Sequence, residues 1–174
     1  MVAHQLTNLM DGVTSNKKQT KMLDVITIKG SDDMAIQLAS CCHPIPGDPI
    51  LGYINKEKGL VIHTHDCQIV NELSLDHDRW VDVEWEPESE KLFNVRLSVL
   101  VVNERGMLGK IASVIADTES NIDNVSLQDM DGSPFATLNF LVQVRHRQHL
   151  AELIRNLRKI TKVNKITRVK NYKN

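Results

Sequence analysis

The sequence predicts an α+β protein in two parts: a small mixed α/β domain, then a four-stranded antiparallel sheet carrying two helices on one face. Three observations lead there. In "FNVRLSVLV" apolar residues alternate strictly, so Phe93, Val95, Leu97, Val99 and Val101 share one face of a strand. Two stretches at helical spacing, Leu108, Ile111, Ala112 and Ile115, then Leu150, Leu153, Ile154 and Leu157, alternate with further strand-like runs. The acidic, proline-containing "EPESEK" (86–91) separates this regular half from a less regular one.

In chain order, residues 1–22 are polar and read as a linker or the end of a missing upstream helical region. The first domain is expected at 23–86. "VITIKG" is a strand stopped by glycine, and "DDMAIQLAS" a short helix delivering the chain to Cys41. "ILGYIN" and "GLVIH" form a hairpin joined by "KEK". "DCQIVNELSL" starts a helix with Asp66 as N-cap and Cys67 in its first turn. "RWVDVEW" is a strand with Val81, Val83 and Trp85 on one face, so Trp80 and Trp85, five apart, point to opposite faces. One of them is expected in the core, the other against the neighbouring domain or a stacked base.

The second domain is expected at 91–171. "NERG" turns the first strand into the first helix, and "NIDNVSLQDM" and "FATLNFLVQV" are strands joined at Asp131-Gly132. "HRQHLAELIRNLRKI" is the second helix, and "VNKITRV" closes the sheet. This βαββαβ order is the ferredoxin-like arrangement. Its reverse sheet face, with Leu100 and Val102, is left open for a dimer or interdomain contact.

Composition narrows the function classes. With 174 residues and 41% hydrophobic, the chain suits one domain or two small ones. No apolar run is long enough for a membrane helix, and "MVAHQLTNLMDG" lacks the charged start and apolar core of a signal peptide. Three cysteines cannot close a disulfide framework, which points to the cytoplasm. No phosphate-cradling glycine motif occurs. Eight acidic residues against Arg79 lie between Glu72 and Glu90, and ten Lys or Arg against Glu152 between Arg145 and Asn174. The two patches either neutralise each other or offer the basic end to an anionic partner such as RNA.

The chemistry-bearing feature is "ASCCHPIPG" with "HTHDC" downstream. Cys41, Cys42, His63 and Cys67 offer three thiolates and an imidazole, the donor set of structural zinc. Pro44, Pro46 and Gly47 turn the chain just after the cysteine pair. Against zinc stands the adjacency of the pair, since neighbouring side chains diverge and paired ligands are ordinarily two to four residues apart. Spacing alone therefore leaves open inert burial, of Cys42 in particular, and a cysteine nucleophile with His63 as base. No Cys-x-x-Cys suggests a redox pair. The dipeptides His65-Asp66 and His77-Asp78 resemble hydrolase metal ligands, but lie among short strands and one short helix and read as solvated polar residues.

The stretch "ASCCHPIPGDPILGYINKEKGLVIHTHDC" resembles the C-terminal regulatory region of RelA/SpoT-type enzymes, the bacterial stringent-response enzymes that make and destroy (p)ppGpp. "NERGMLGKIASVIADTESNI" resembles the first loop and helix of their terminal ACT domain. The resemblance covers roughly residues 24 to 171, and the ending "KVNKITRVKN" is more similar to the SpoT branch. It implies a zinc-finger-like conserved-cysteine domain followed by an ACT domain, with Cys41, Cys42, His63 and Cys67 as a structural zinc set. His43 falls in a variable slot of the pattern.

The resemblance further implies a regulatory fragment with no catalysis of its own, governing N-terminal hydrolase and synthetase domains absent from this chain. Its implied partners are those domains, ribosomal RNA or the ribosome, acyl carrier protein, an amino acid ligand, and a second copy through the ACT sheet. Asn103, Glu104, Arg105 and Gly106 occupy the family's ligand loop, whose alternative is a plain strand-to-helix turn. Arg155, Arg158 and Lys159 are the candidate RNA or partner contacts. Thr64 stands where many relatives carry arginine, and "NKEKG" is less basic than the corresponding hairpin. Both count against tight RNA contact through the first domain. The competing readings are an RNA-binding module and a metal-dependent hydrolase.

Overall fold

The computed structural model describes residues 26–28, 36–74, 76–86, 90–129 and 131–171, so the polar stretch 1–22 lies outside the described residues. The first half contains β1 (Ile26–Ile28), β2 (Ile36–Leu38), β3 (Ile50–Asn55), β4 (Gly59–Thr64), α1 (Gln68–Glu72), a 3-10 turn (His77–Arg79) and β5 (Trp80–Trp85). The strands form one sheet in the order β1-β5-β3-β4-β2. The expected hairpin is β3–β4, in register from Ile50 opposite Thr64 to Asn55 opposite Gly59. Its turn is tied by the Asn55 side chain, whose Oδ1 accepts from the N–H groups of Glu57 and Lys58.

Two local expectations are corrected. The segment leading to Cys41 ends not as a helix but as β2, parallel to β4 with Ile36 opposite Leu60, and the Ala39 N–H continues the pairing to the Ile62 carbonyl. The edge of β4 offers these residues backbone partners, and tertiary pairing overrides a weak local pattern. The part of that segment at 31–35 lies outside the described residues. At α1 the N-cap position belongs to Cys67, not Asp66, and no side chain within the helix's own start caps it. Asp66 instead reaches Lys170.

The second half contains β6 (Phe93–Val102), α2 (Met107–Asp117), β7 (Asn121–Asp129), β8 (Phe135–Val144), α3 (Arg147–Arg158) and β9 (Val163–Val169). Its sheet runs β7-β8-β6-β9 with every pairing antiparallel. Alternation decides the core: Phe93, Val95, Leu97, Val99 and Val101 of β6 and Ala136, Leu138, Phe140, Val142 and Val144 of β8 are all buried against the two helices. In α2 the buried stripe is Met107, Ile111 and Ile115, while Leu108, counted in the helical apolar spacing, is 47% exposed. The stripe repeats every four residues from Met107, and that phase turns Leu108 toward β7.

The two halves meet through the loop that follows the cysteine pair. Ile45 belongs to the first half in sequence, yet it is fully buried in the core of the second. Gly47 has φ +97°, and a Cβ there would stand 2.9 Å from the Arg147 Cβ, so glycine is required for both conformation and space. The Pro46 carbonyl accepts from the Arg147 N–H at 2.8 Å. Trp85 packs edge-on against Phe93 at 5.6 Å and donates its indole N–H to the Asp48 carbonyl. Trp80, on the opposite face, packs against Tyr53.

Candidate metal centre

Each donor arrives by a different local device. Residues 39–43 make a single helical turn, closed by the His43 N–H donating to the Ala39 carbonyl at 3.0 Å. His43 then leaves the turn at φ +46°. That curvature answers the objection to adjacent cysteines, because side chains within one turn fan over an arc rather than alternating. His63 comes from β4, between β3 and β2, and is 6% exposed. Trp80 stands edge-on to its imidazole at 6.2 Å, fixing the ring from one side. The Cys67 N–H donates to the Thr64 carbonyl, a tight turn that brings Cys67 back beside His63.

The four donor atoms lie within 4.8 Å of one another, and among the described residues this is the one such group. Three of the six donor pairs already stand at tetrahedral spacing. Zinc bonds of about 2.3 Å to sulfur and 2.0–2.1 Å to nitrogen require S···S near ~3.8 Å and S···N near ~3.6 Å. Cys41 and Cys67 are 3.6 Å apart at sulfur, and His63 Nδ1 is 3.5 Å from Cys41 and 3.9 Å from Cys42. The three thiols are free rather than disulfide-bonded.

The electrostatics divide the thiols. Cys42 is pulled down to about 4, chiefly by the hydrogen bond from Cys41, with His63 and the Thr64 N–H helping against burial. Its neighbour Cys41 is pushed up, first by that same hydrogen bond and then by burial, and burial also pushes Cys67 up. Negative charge is thus favoured on Cys42 and resisted on the other two, an imbalance a bound cation would relieve. That pattern suits a ligand set better than a nucleophile, since Cys42 itself is wholly buried.

The other sequence candidates are placed elsewhere. The His65 ring nitrogen bonds the Ile50 carbonyl and Asp66 pairs with Lys170, so neither is turned to a shared centre. His77 and Asp78 are exposed on the 3-10 turn. Asn103, Glu104 and Gly106 line a cavity of about 270 Å³ beside the start of α2, with Leu108, Val125 and Leu127 on its apolar side; Arg105 is exposed nearby. Gly106 stands at φ +87° with open space around it, as its turn requires. Glu104 pairs with Lys162, which holds its carboxyl below the usual range. Arg155, Arg158 and Lys159 are exposed at the end of α3. Sequence reasoning missed Asp48 and Arg168, whose partnership spans 120 residues and leaves no local signal.

Comparison with known proteins now bears on the arrangement. A family model described as the RelA/SpoT RIS domain matches residues 26–86, and one for the ACT domain matches 89–168. The chain belongs to the RelA/SpoT family. It is homologous to the C-terminal region of these enzymes, joining a RIS domain to an ACT domain. The bifunctional (p)ppGpp synthase/hydrolase SpoT of Escherichia coli K12 is 34% identical over 148 residues, 85% of this chain and 21% of that protein. A GTP pyrophosphokinase of Streptomyces coelicolor is 31% identical over 130 residues, 75% of this chain and 15% of that one. The chain thus spans between 15% and 22% of the length of the curated relatives it matches. A solution structure of the ACT domain from a GTP pyrophosphokinase of Chlorobium tepidum is 25% identical and covers 47% of this chain and 90% of that one, at a TM-score of 0.41.

Proposed function

We propose that this chain is the regulatory C-terminal part of a cytoplasmic, bifunctional (p)ppGpp synthetase/hydrolase. It controls catalytic domains that lie in the remainder of such an enzyme and turns over no nucleotide itself. The division into a zinc-finger-like domain at 23–86 and a sensing domain at 91–171 belongs to this reading. The observation that carries it is the convergence of Cys41, Cys42, His63 and Cys67 inside the RIS match, packed against a complete βαββαβ unit. Zinc held by these four would be structural, since three thiolates and an imidazole fill a tetrahedral shell and leave no open position.

The test has two arms. Incubated with ppGpp and manganese, the pure chain releases no pyrophosphate; steady release would overturn the regulatory reading in favour of a metal-dependent hydrolase. Prepared without chelators, it carries about one equivalent of zinc. Less than about a tenth of an equivalent in folded protein would make the thiols structural instead.

Two observations favour particular inputs. The cavity beside α2, lined by Asn103, Glu104 and Gly106, suits a small amino acid whose carboxylate meets the helix N-terminus. Arg155, Arg158 and Lys159 present a basic surface for ribosomal RNA. That contact predicts salt-dependent binding of ribosomes, weakened when the three are neutralised, and binding insensitive to both salt and neutralisation speaks against it.

A further inference from the structure

The last strand of the second domain ends against the first, and three contacts of its end fall one residue away from proposed ligands. Arg168 donates from both terminal nitrogens to the Asp48 carboxylate, at 2.9 and 2.5 Å, and also to the His43 carbonyl at 3.0 Å. His43 directly follows Cys42. Lys170 pairs with Asp66 at 2.7 Å, the residue before Cys67. Asn171 Oδ1 accepts from the Gln68 N–H at 2.9 Å, the residue after Cys67.

These contacts are placed to matter. The Asp48 side chain is 1% exposed and that of Arg168 13%, so the two-pronged pair is little screened by solvent. Asp48 Oδ2 also accepts from the Ile45 N–H at 3.0 Å, which links Arg168 to the residue seated in the other core. The start of α1 leaves its first N–H groups without a cap of its own, and Asn171 fills that need from another domain. Partners one step beyond a metal's ligands orient those ligands.

We propose that residues 168–171 form a strap, with Arg168, Lys170 and Asn171 acting as positioning residues that the ACT domain contributes to the metal centre. The strap holds both ligand-bearing loops, 41–48 and 63–68, in the ligating arrangement. Metal affinity in the first domain and docking of the second are then one linked equilibrium, reciprocal in sign and size. Any ligand or partner that shifts β9 is read out in the metal loops. The metal half of this inference rests on the zinc reading; the clamping half does not.

The test uses the whole chain as wild type, Arg168→Ala, Arg168→Lys and Asn171→Ala. Two quantities are followed: transfer of zinc to a chromophoric chelator, and amide exchange at Ile45, Gln68 and Arg147 in zinc-loaded and stripped protein. Arg168→Ala is expected to speed zinc transfer about tenfold, the lower end of the range for losing a group bonded directly to a ligand, because Arg168 acts through the backbone beside Cys42. Arg168→Lys, which keeps the charge but not the fork, recovers part of the loss. Asn171→Ala raises exchange at Gln68 several-fold, and stripping zinc raises it at Arg147. Wild-type rates of zinc transfer and of Ile45 and Gln68 exchange in both alanine variants would overturn the strap. Should the wild type hold no zinc, the zinc reading fails, while exchange in the metal-free variants still decides the clamp. Should Arg168→Ala not fold, Asn171→Ala, at an exposed position, decides it alone.

Discussion

In the ACT domain, sixteen of the seventeen buried side chains in the main core come from one continuous βαββαβ unit, and the seventeenth is Ile45. The RIS domain has nothing comparable among its described residues: Ile50, Ile62 and Val83 form one small cluster, and Ala39, Cys42 and Cys67 another. Both domains have a sheet. Only the second covers its sheet with two long amphipathic helices, while the first has α1, five residues with none buried. The comparison teaches that the RIS domain is held from outside its own apolar core. The neighbouring domain at one end and, on the zinc reading, a metal at the other supply what burial does not, as small domains require.

The largest break in that comparison is metal removal. Chelation is expected to release the RIS domain's structure while amides of β6 and β8 stay protected, because structural zinc contributes on the order of 10 kcal/mol to a site that is unformed without it. Hydrogen exchange with and without chelator checks this; uniform protection in both would place the stability of the first domain in its own sheet. The same site sets a pH dependence. Cys42 is pulled down by the Cys41 hydrogen bond, whereas Cys41 and Cys67 are pushed up, so a metal that binds those two must displace their protons. Affinity therefore falls as pH falls, by about a hundredfold per unit if both protons leave on binding. A slope near zero, measured by chelator competition between pH 6.5 and 8, would count against the assigned protonation states.

Next in size is Ile45→Ala. The residue is fully buried, so the loss should be about 2–5 kcal/mol. What sharpens the comparison is where the loss falls: denaturant melts should show the ACT domain destabilised by a substitution in the RIS sequence. If only the first domain weakens, Ile45 is not part of the second core. Gly47→Ala ranks after it, at about 1–3 kcal/mol for a left-handed position, with added strain from the Arg147 contact. Gly132→Ala is its control, with φ +76° but nothing within 4 Å of an added Cβ, and should cost less. Equal costs for the two would remove the case for close packing between the domains at Gly47.

Much of the ACT domain was legible beforehand because its signals are local. Alternation in β6, the helical stripe of α3 and the Asp131-Gly132 turn each depend on residues a few positions apart. Where local signals were weak, neighbours decided: β2 took its conformation from the edge of β4, and Leu108 turned outward because the stripe starts at Met107. The candidate centre was partly legible. Its donor types stood out, but the adjacency of Cys41 and Cys42 argued against them until the helical turn at 39–43 gave both thiols a common direction. The charge pattern misled in its detail, because the basic end meets Asp48 and Asp66, neither of them in the acidic stretch that begins at Glu72.

The sequence by itself determined the order of elements in the second domain, the inward faces of its sheet and the four residues able to ligate a metal, since periodicity and side-chain chemistry are properties of short stretches. Tertiary structure alone decided that Ile45 crosses into the other domain's core and that Arg168 and Asn171 reach the loops beside Cys42 and Cys67. The Arg168 and Asn171 contacts join residues more than 100 positions apart. No local pattern encodes them. They exist because the fold brings the end of its last strand to both ligand-bearing loops, where a buried carboxylate after the cysteine pair and an uncapped helix start after Cys67 need partners.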